Sequence, residues 1–193
     1  MNHNNQNNND IIWKADNLYC NAKVEIYEDE SHEFKQFQIK AFTDISNQIR
    51  IFSKYITAYL NSNSGYLYLG ISNDGLIKGI HLPPESFNEL ILQMQHMIDS
   101  YDDHVVEGKF IQFKYIEVYD VDNSLNDLYV FVIYVRKGLD DCVYTTPFKD
   151  ETTKDYAVYV KMNGTTKKIE GESLYKYIKK KMKNYVYKKL ISK

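Results

Sequence analysis

The chain has 193 residues, 44% of them hydrophobic and 26% charged, which is enough apolar surface for one core and too little length for two ordinary domains. Two cysteines, Cys20 and Cys142, exclude a disulfide-dense scaffold, and with no C-x-x-C pair there is no thiolate zinc centre to expect. The formal net charge of -2 hides an asymmetry: residues 167–193 hold ten Lys against Glu170 and Glu172, a net of +8, and the preceding residues carry -10. A basic element on an acidic body suits a polyanionic partner, although a lysine-rich solvated helix face is the commoner reason for such a run.

Six of the first ten residues are Asn, so residues 1–12 are expected to form a tail outside the fold. No apolar run follows Met1, and the longest one, residues 129–135, is too short to cross a bilayer. The expected location is therefore the cytoplasm, with the nucleus left open. In residues 43–61, Ile45, Ile49, Phe52, Ile56 and Leu60 recur at helical spacing behind Thr43 or Asp44 as a start signal. The helix ends at Asn61-Ser62-Asn63-Ser64-Gly65, and residues 66–71 then read as a buried strand. Asp74-Gly75 marks a tight turn into residues 76–80.

Pro83-Pro84 opens a second helical pattern through Phe87, Leu90, Ile91, Met94 and Ile98. Residues 110–119 alternate partly and residues 129–135 are continuously apolar, both strand-like. Residues 156–162 turn at Asn163-Gly164 into residues 165–169 as a hairpin. Residues 172–193 form the basic C-terminal element, a helix carrying Leu174, Ile178, Tyr185 and Leu190 among its lysines. The prediction is one α+β domain over residues 13–171, with helices packed on a mixed, mostly antiparallel sheet and the basic helix packed on it or extending it.

The densest acidic run, Glu28-Asp29-Glu30-Ser31-His32-Glu33, leads into Phe34-Lys35-Gln36-Phe37, whose alternation suggests a strand. Such a run is either a solvated loop or a set of hard oxygen ligands for Mg2+ or Mn2+, which activate water against phosphodiesters. Glu28 and Glu33 are five apart and converge only if the chain bends between them. Lys35 falls on the side of Glu33, where it either neutralises that acid or meets a phosphate. His32 reads as a loop histidine without a role before it reads as a general base.

Taken in order and spacing, residues 28–35, the helix end at Asn61-Ser62-Asn63-Ser64-Gly65, Gly70-Ile71-Ser72-Asn73-Asp74-Gly75 and the strand and turn of residues 159–167 resemble the Schlafen AlbA-like domain. The resemblance implies RNA metabolism: a metal-dependent endoribonuclease acting on structured RNA such as tRNA, with a trio of acids holding Mg2+ or Mn2+. Glu28 and Glu33 fall on two of those positions. The third falls on Asn73, with Asp74 one place later; Asp74 either completes the catalytic and metal-binding set or is the turn-forming half of Asp-Gly. Ser64 stands where the family has its first glycine.

RNA contacts are expected from Lys35, Lys167, Lys168, Lys179, Lys180 and Lys183. The implied partners are RNA and a second copy or another Schlafen-like chain, in a homodimer or hetero-oligomer, with no membrane. The interruption at Asn73 keeps open a catalytically weak or inactive RNA-binding or scaffold subunit, and a nucleic-acid-binding regulator is the third reading.

Overall fold

The computed structural model describes residues 11–39, 42–101, 109–120, 125–149 and 156–191. The Asn-rich residues 1–10 lie outside them. The expected tail extended to residue 12, but a short helix α1 (Ile11–Lys14) already belongs to the fold: Ile12 is buried beneath the sheet among Phe34, Tyr68 and Val132. Ile12, with Trp13, Ala15 and Leu18 packed against the same cluster, fixes the chain there.

The central sheet runs in the order β1-β5-β6-β3-β2, with β4 also paired to β6. Its strands are β1 (Asn17–Tyr19), β2 (His32–Lys35), β3 (Gly65–Leu69), β4 (Ile80–His81), β5 (Ile111–Tyr119) and β6 (Leu125–Val135). The outer pairs β1–β5 and β2–β3 are parallel and the inner ones antiparallel, so the sheet is mixed and mostly antiparallel, as expected. A separate hairpin joins β7 (Val158–Met162) to β8 (Thr165–Ile169). Both residues of its Asn163-Gly164 turn have positive φ, 52° and 73°, the mirror-image turn that matches strand twist.

Helix α2 (Phe42–Asn61) follows its apolar stripe: Ile45, Ile49, Phe52, Ile56 and Leu60 are all buried against Leu67, Leu69, Phe131 and Ile133 on one sheet face. Helix α3 (Pro84–Asp99) starts with Pro83 at its cap and Pro84 in its first turn, and buries Leu90, Met94, Met97 and Ile98 in the same cluster. The opposite sheet face is covered by Ile12, Val24, Ile71 and Ile77, packed on Phe34, Tyr68, Val130 and Val132. Strand β6 is therefore buried on both sides, which is why its sequence is continuously apolar rather than alternating.

Residues 76–80 form bridges rather than a full strand: Ile71 pairs with Ile77, Lys23 with Leu76, and regular pairing is confined to β4. Ser64 carries no positive φ, and its hydroxyl accepts the Lys137 N–H at 2.9 Å, so it stands in the glycine position without strain. Helix α4 (Gly171–Ile191) meets the body through the half-buried Leu174, Tyr177 and Lys181, spaced three and four apart. The Tyr177 hydroxyl donates to the Asn61 carbonyl at 2.5 Å, and Lys181 Nζ donates to the Cys142 carbonyl at 2.9 Å. Ile178, expected on the packed stripe, faces outward, and the side chains of Tyr185 and Leu190 lie outside the described residues.

Candidate functional site

The acidic run bends where convergence requires it to. Asp29 Oδ1 accepts the backbone N–H groups of Ser31 and His32 at 2.6 and 2.8 Å and the His32 ring nitrogen at 2.9 Å, and the Asp29 N–H donates to the His32 carbonyl. Burial works against ionisation of Asp29, but these donors outweigh it and hold its carboxyl below the usual carboxylate range. Asp29 is thus the turn-former of the run. His32 stacks on Tyr66 and Tyr68 at centroid distances of 5.9 and 6.1 Å, which makes it part of the packing.

This turn folds Glu28 back over β2, where its Oε1 accepts the Phe34 N–H at 2.9 Å. Lys35 Nζ lies 2.6 Å from Glu33 Oε1, 3.5 Å from Glu28 Oε1 and 2.7 Å from the Phe34 carbonyl. The two carboxylate oxygens that share this ammonium are therefore no further apart than the sum of their distances to it. Burial alone would lower the Lys35 pKa, but the hydrogen bond and charge of Glu33, aided by Glu28, hold it above the ordinary value.

The other oxygen of Glu33 belongs to Lys161, which the sequence reading did not single out. Lys161 Nζ donates to Glu33 Oε2 from a side chain only 1% exposed, against 11% for Glu33. Strand β7 delivers it: Tyr159 and Lys161 share one side of the hairpin, and α2 packs on β7 with the Tyr59 ring 5.2 Å from the ammonium. Tyr59 donates its hydroxyl to the Tyr66 carbonyl at 3.1 Å, and burial, then the Glu33 charge, push its pKa up. Gly65 is required beside it, since a Cβ there would lie 2.1 Å from the Tyr59 ring.

Asp74 does not join this cluster through any described contact. It is exposed in the turn of residues 72–75, where the Ser72 hydroxyl donates to its carboxylate and, with backbone N–H groups, lowers its pKa. That is the turn-forming role of Asp-Gly, with Gly75 at φ 82°. Asn73 is exposed in the same turn. Among the described residues no group of three or more His, Cys, Asp or Glu is placed to hold a metal ion. The point where Glu28 and Glu33 converge is held by an ammonium, so the residues do not fit a three-acid divalent cation site.

The remaining expected cations lie on two elements. Register pairs Lys167 with Val160 and Lys168 with Tyr159, so Lys168 shares the hairpin side of Lys161 and Lys167 takes the other. Lys168 pairs with Glu170 at 2.5 Å. Lys179, Lys180 and Lys183 are exposed on α4, with Lys179 5.9 Å from the ring of the exposed Tyr175.

A further set of cations lies on the outward face of α2, again not singled out in the sequence: Arg50 and Lys54 border a cavity with Lys149, described below. Their spacing on the polar side of an amphipathic helix looks like ordinary solvation, and only the fold brings Lys149 beside them.

No curated protein matches this chain. Among solved structures, the DIP2311 protein from Corynebacterium diphtheriae is similar at 14% identity and a TM-score of 0.44, over 77% of this chain. The match covers 23% of that protein, so this chain spans under a quarter of its length. The family described as Schlafen, AlbA_2 matches residues 28–170, from the first acid of the cluster to beyond the strand that delivers Lys161. This chain belongs to the Schlafen AlbA_2 family.

Proposed function

We propose that this domain holds RNA without hydrolysing it, through the lysines of α4 and the β7–β8 hairpin. Family membership supports a nucleic-acid-related role. The observation that carries the non-hydrolytic reading is the Lys35 ammonium between Glu28 and Glu33. With Lys161 it balances both carboxylates, so a divalent ion meets a neutral cluster and has to displace a lysine held at 2.6 and 2.7 Å by Glu33 and the Phe34 carbonyl and at 3.5 Å by Glu28. The surface of α4 supplies exposed charge next to an exposed tyrosine ring, the combination that grips single strands.

Binding of an RNA oligonucleotide across a salt series tests this. Affinity should fall steeply with salt, and replacing Lys179, Lys180 and Lys183 with Ala should flatten the log–log slope by about 2. An unchanged slope, or no RNA binding by the intact chain, removes the proposal. The pairing of one lobe with a second Schlafen-like chain belongs to the same reading, and size determination with and without RNA reports it.

One observation favours a second reading, metal-dependent cleavage of structured RNA such as tRNA: Glu28 and Glu33 do converge. Incubation with tRNA and Mn2+ separates the two. Bound but intact tRNA supports the first, and cleavage that disappears in Glu28→Gln, with the fold kept by circular dichroism, replaces it with the second.

A further inference from the structure

The cavity on the outward face of α2 is enclosed on one side by Arg50 and Lys54 and on the other by the segments around Phe148, Lys149 and Tyr159, with a volume of about 340 Å³. Three cations line it and no described carboxylate does, on a body whose first 166 residues carry a net charge of -10. Its walls are fixed. The Thr146 N–H donates to the Ala157 carbonyl at 2.8 Å, the Ala157 N–H donates to Thr146 Oγ1 at 3.1 Å, and that hydroxyl donates to the Phe148 carbonyl at 2.9 Å. Arg50 lies over the Phe148 ring at 5.6 Å and Lys149 over the Tyr156 ring at 5.6 Å, contacts that orient both cations before any ligand arrives.

We propose that this cavity binds the terminal phosphate of a nucleotide, either free or at the 5′ end of an RNA. The 5′-RNA arm rests on the RNA-holding reading above. A phosphomonoester carries close to two negative charges at neutral pH, which suits a cavity bordered by Lys54 and Lys149 better than the single charge of a diester does. The volume takes one nucleotide rather than a continuous strand. Phe148 and Tyr159 supply ring surface for a base or ribose, and Ile51 and Ala157 supply an apolar lining. The site is continuous with the acidic cluster: Tyr159 lines the cavity and Lys161, two residues on and about 7 Å along the same side of β7, reaches Glu33.

The test compares three probes on the whole chain: an oligoribonucleotide with a 5′-phosphate, the same one with a 5′-hydroxyl, and adenosine monophosphate. The 5′-phosphate should strengthen RNA binding by about tenfold or more, and Lys54→Ala/Lys149→Ala should abolish that preference while Lys179→Ala/Lys180→Ala keeps it. Both cavity lysines are exposed, so the double variant is expected to keep its fold, as circular dichroism would verify. Equal binding of the two oligonucleotides by the unaltered chain, together with no binding of adenosine monophosphate, overturns the cavity and leaves the RNA-holding reading standing. So does a preference that survives the double variant. Adenosine monophosphate binding that needs Lys54 and Lys149, with no RNA binding, keeps the cavity as a free-nucleotide site and removes the RNA-holding reading. Failure of all three probes removes both.

Discussion

Glu33→Gln leaves a buried lysine without its counter-charge, and the cost follows from the exposures on either side. Lys161 is 1% exposed, and its one other described acceptor is the Gly164 carbonyl at a long 3.4 Å. Removing one partner of such a pair costs about 3–5 kcal/mol. Urea unfolding at pH 7 should therefore show a large loss. Lys161→Met alone should cost less, about 1–2 kcal/mol, since Glu33 keeps Lys35 and partial contact with water. The double variant should be more stable than Glu33→Gln by about 2 kcal/mol, because the stranded ammonium is gone. A loss below about 1 kcal/mol in Glu33→Gln, or additivity of the two changes within about 0.5 kcal/mol, would refute the buried-pair argument.

Asn61 donates to the Tyr144 and Tyr159 carbonyls at 2.8 and 3.0 Å and accepts the Tyr144 N–H at 2.9 Å, so Asn61→Ala should cost about 3 kcal/mol in chemical unfolding by removing its bonds to three backbone groups, two of them buried. Gly65→Ala drives a methyl into the Tyr59 ring that lies against Lys161, and a thermal melt should show about 1–3 kcal/mol lost. Alkaline stability should also fall. Burial raises the pKa of Tyr59 and Tyr101, so the folded chain keeps both protons while the unfolded chain loses them near pH 10. This contribution is whole below pH 10 and declines above it by up to about 1.36 kcal/mol per group per pH unit, as unfolding free energies between pH 9 and 11 would show. The raised pKa of Lys35 acts in the same direction: its contribution is present below its unfolded value of 10.5 and is lost as pH rises through the folded one.

What was legible in the sequence was local. The stripe from Ile45 to Leu60 marks α2 because burial against a sheet repeats every 3.6 residues, and the Asn163-Gly164 turn marks its hairpin because few residues tolerate two positive φ angles in succession. Strand β1 was not legible: three residues pair in parallel with β5 a hundred positions away, and their own pattern carries no trace of it. Half of the acidic site was legible too. The need for a bend between Glu28 and Glu33 follows from strand geometry, and Asp29 provides it. Lys161 is separated from Glu33 by 128 residues. The one signal it left was a lysine inside the otherwise apolar run Val158 to Met162, a place where a charge survives only with a partner.

The interrupted trio and the extra lysine bear on one electrostatic condition. Two carboxylates with two ammoniums at contact distance sum to zero, and a neutral cluster has little residual field to draw in a divalent ion. A third carboxylate would restore a negative excess, but the position where the resemblance expects it is Asn73, and the acid beside it is tied to Ser72 in an exposed turn. Lys161, in turn, tolerates burial only because Glu33 is there. Glu33 and Lys161 are therefore each the reason the other can be buried, and the most direct consequence of the pair is to fasten the β7–β8 hairpin to β2. That fastening holds Tyr159 against α2, so the same four charges that leave little pull for a metal ion also keep the wall of the Arg50, Lys54 and Lys149 cavity in place.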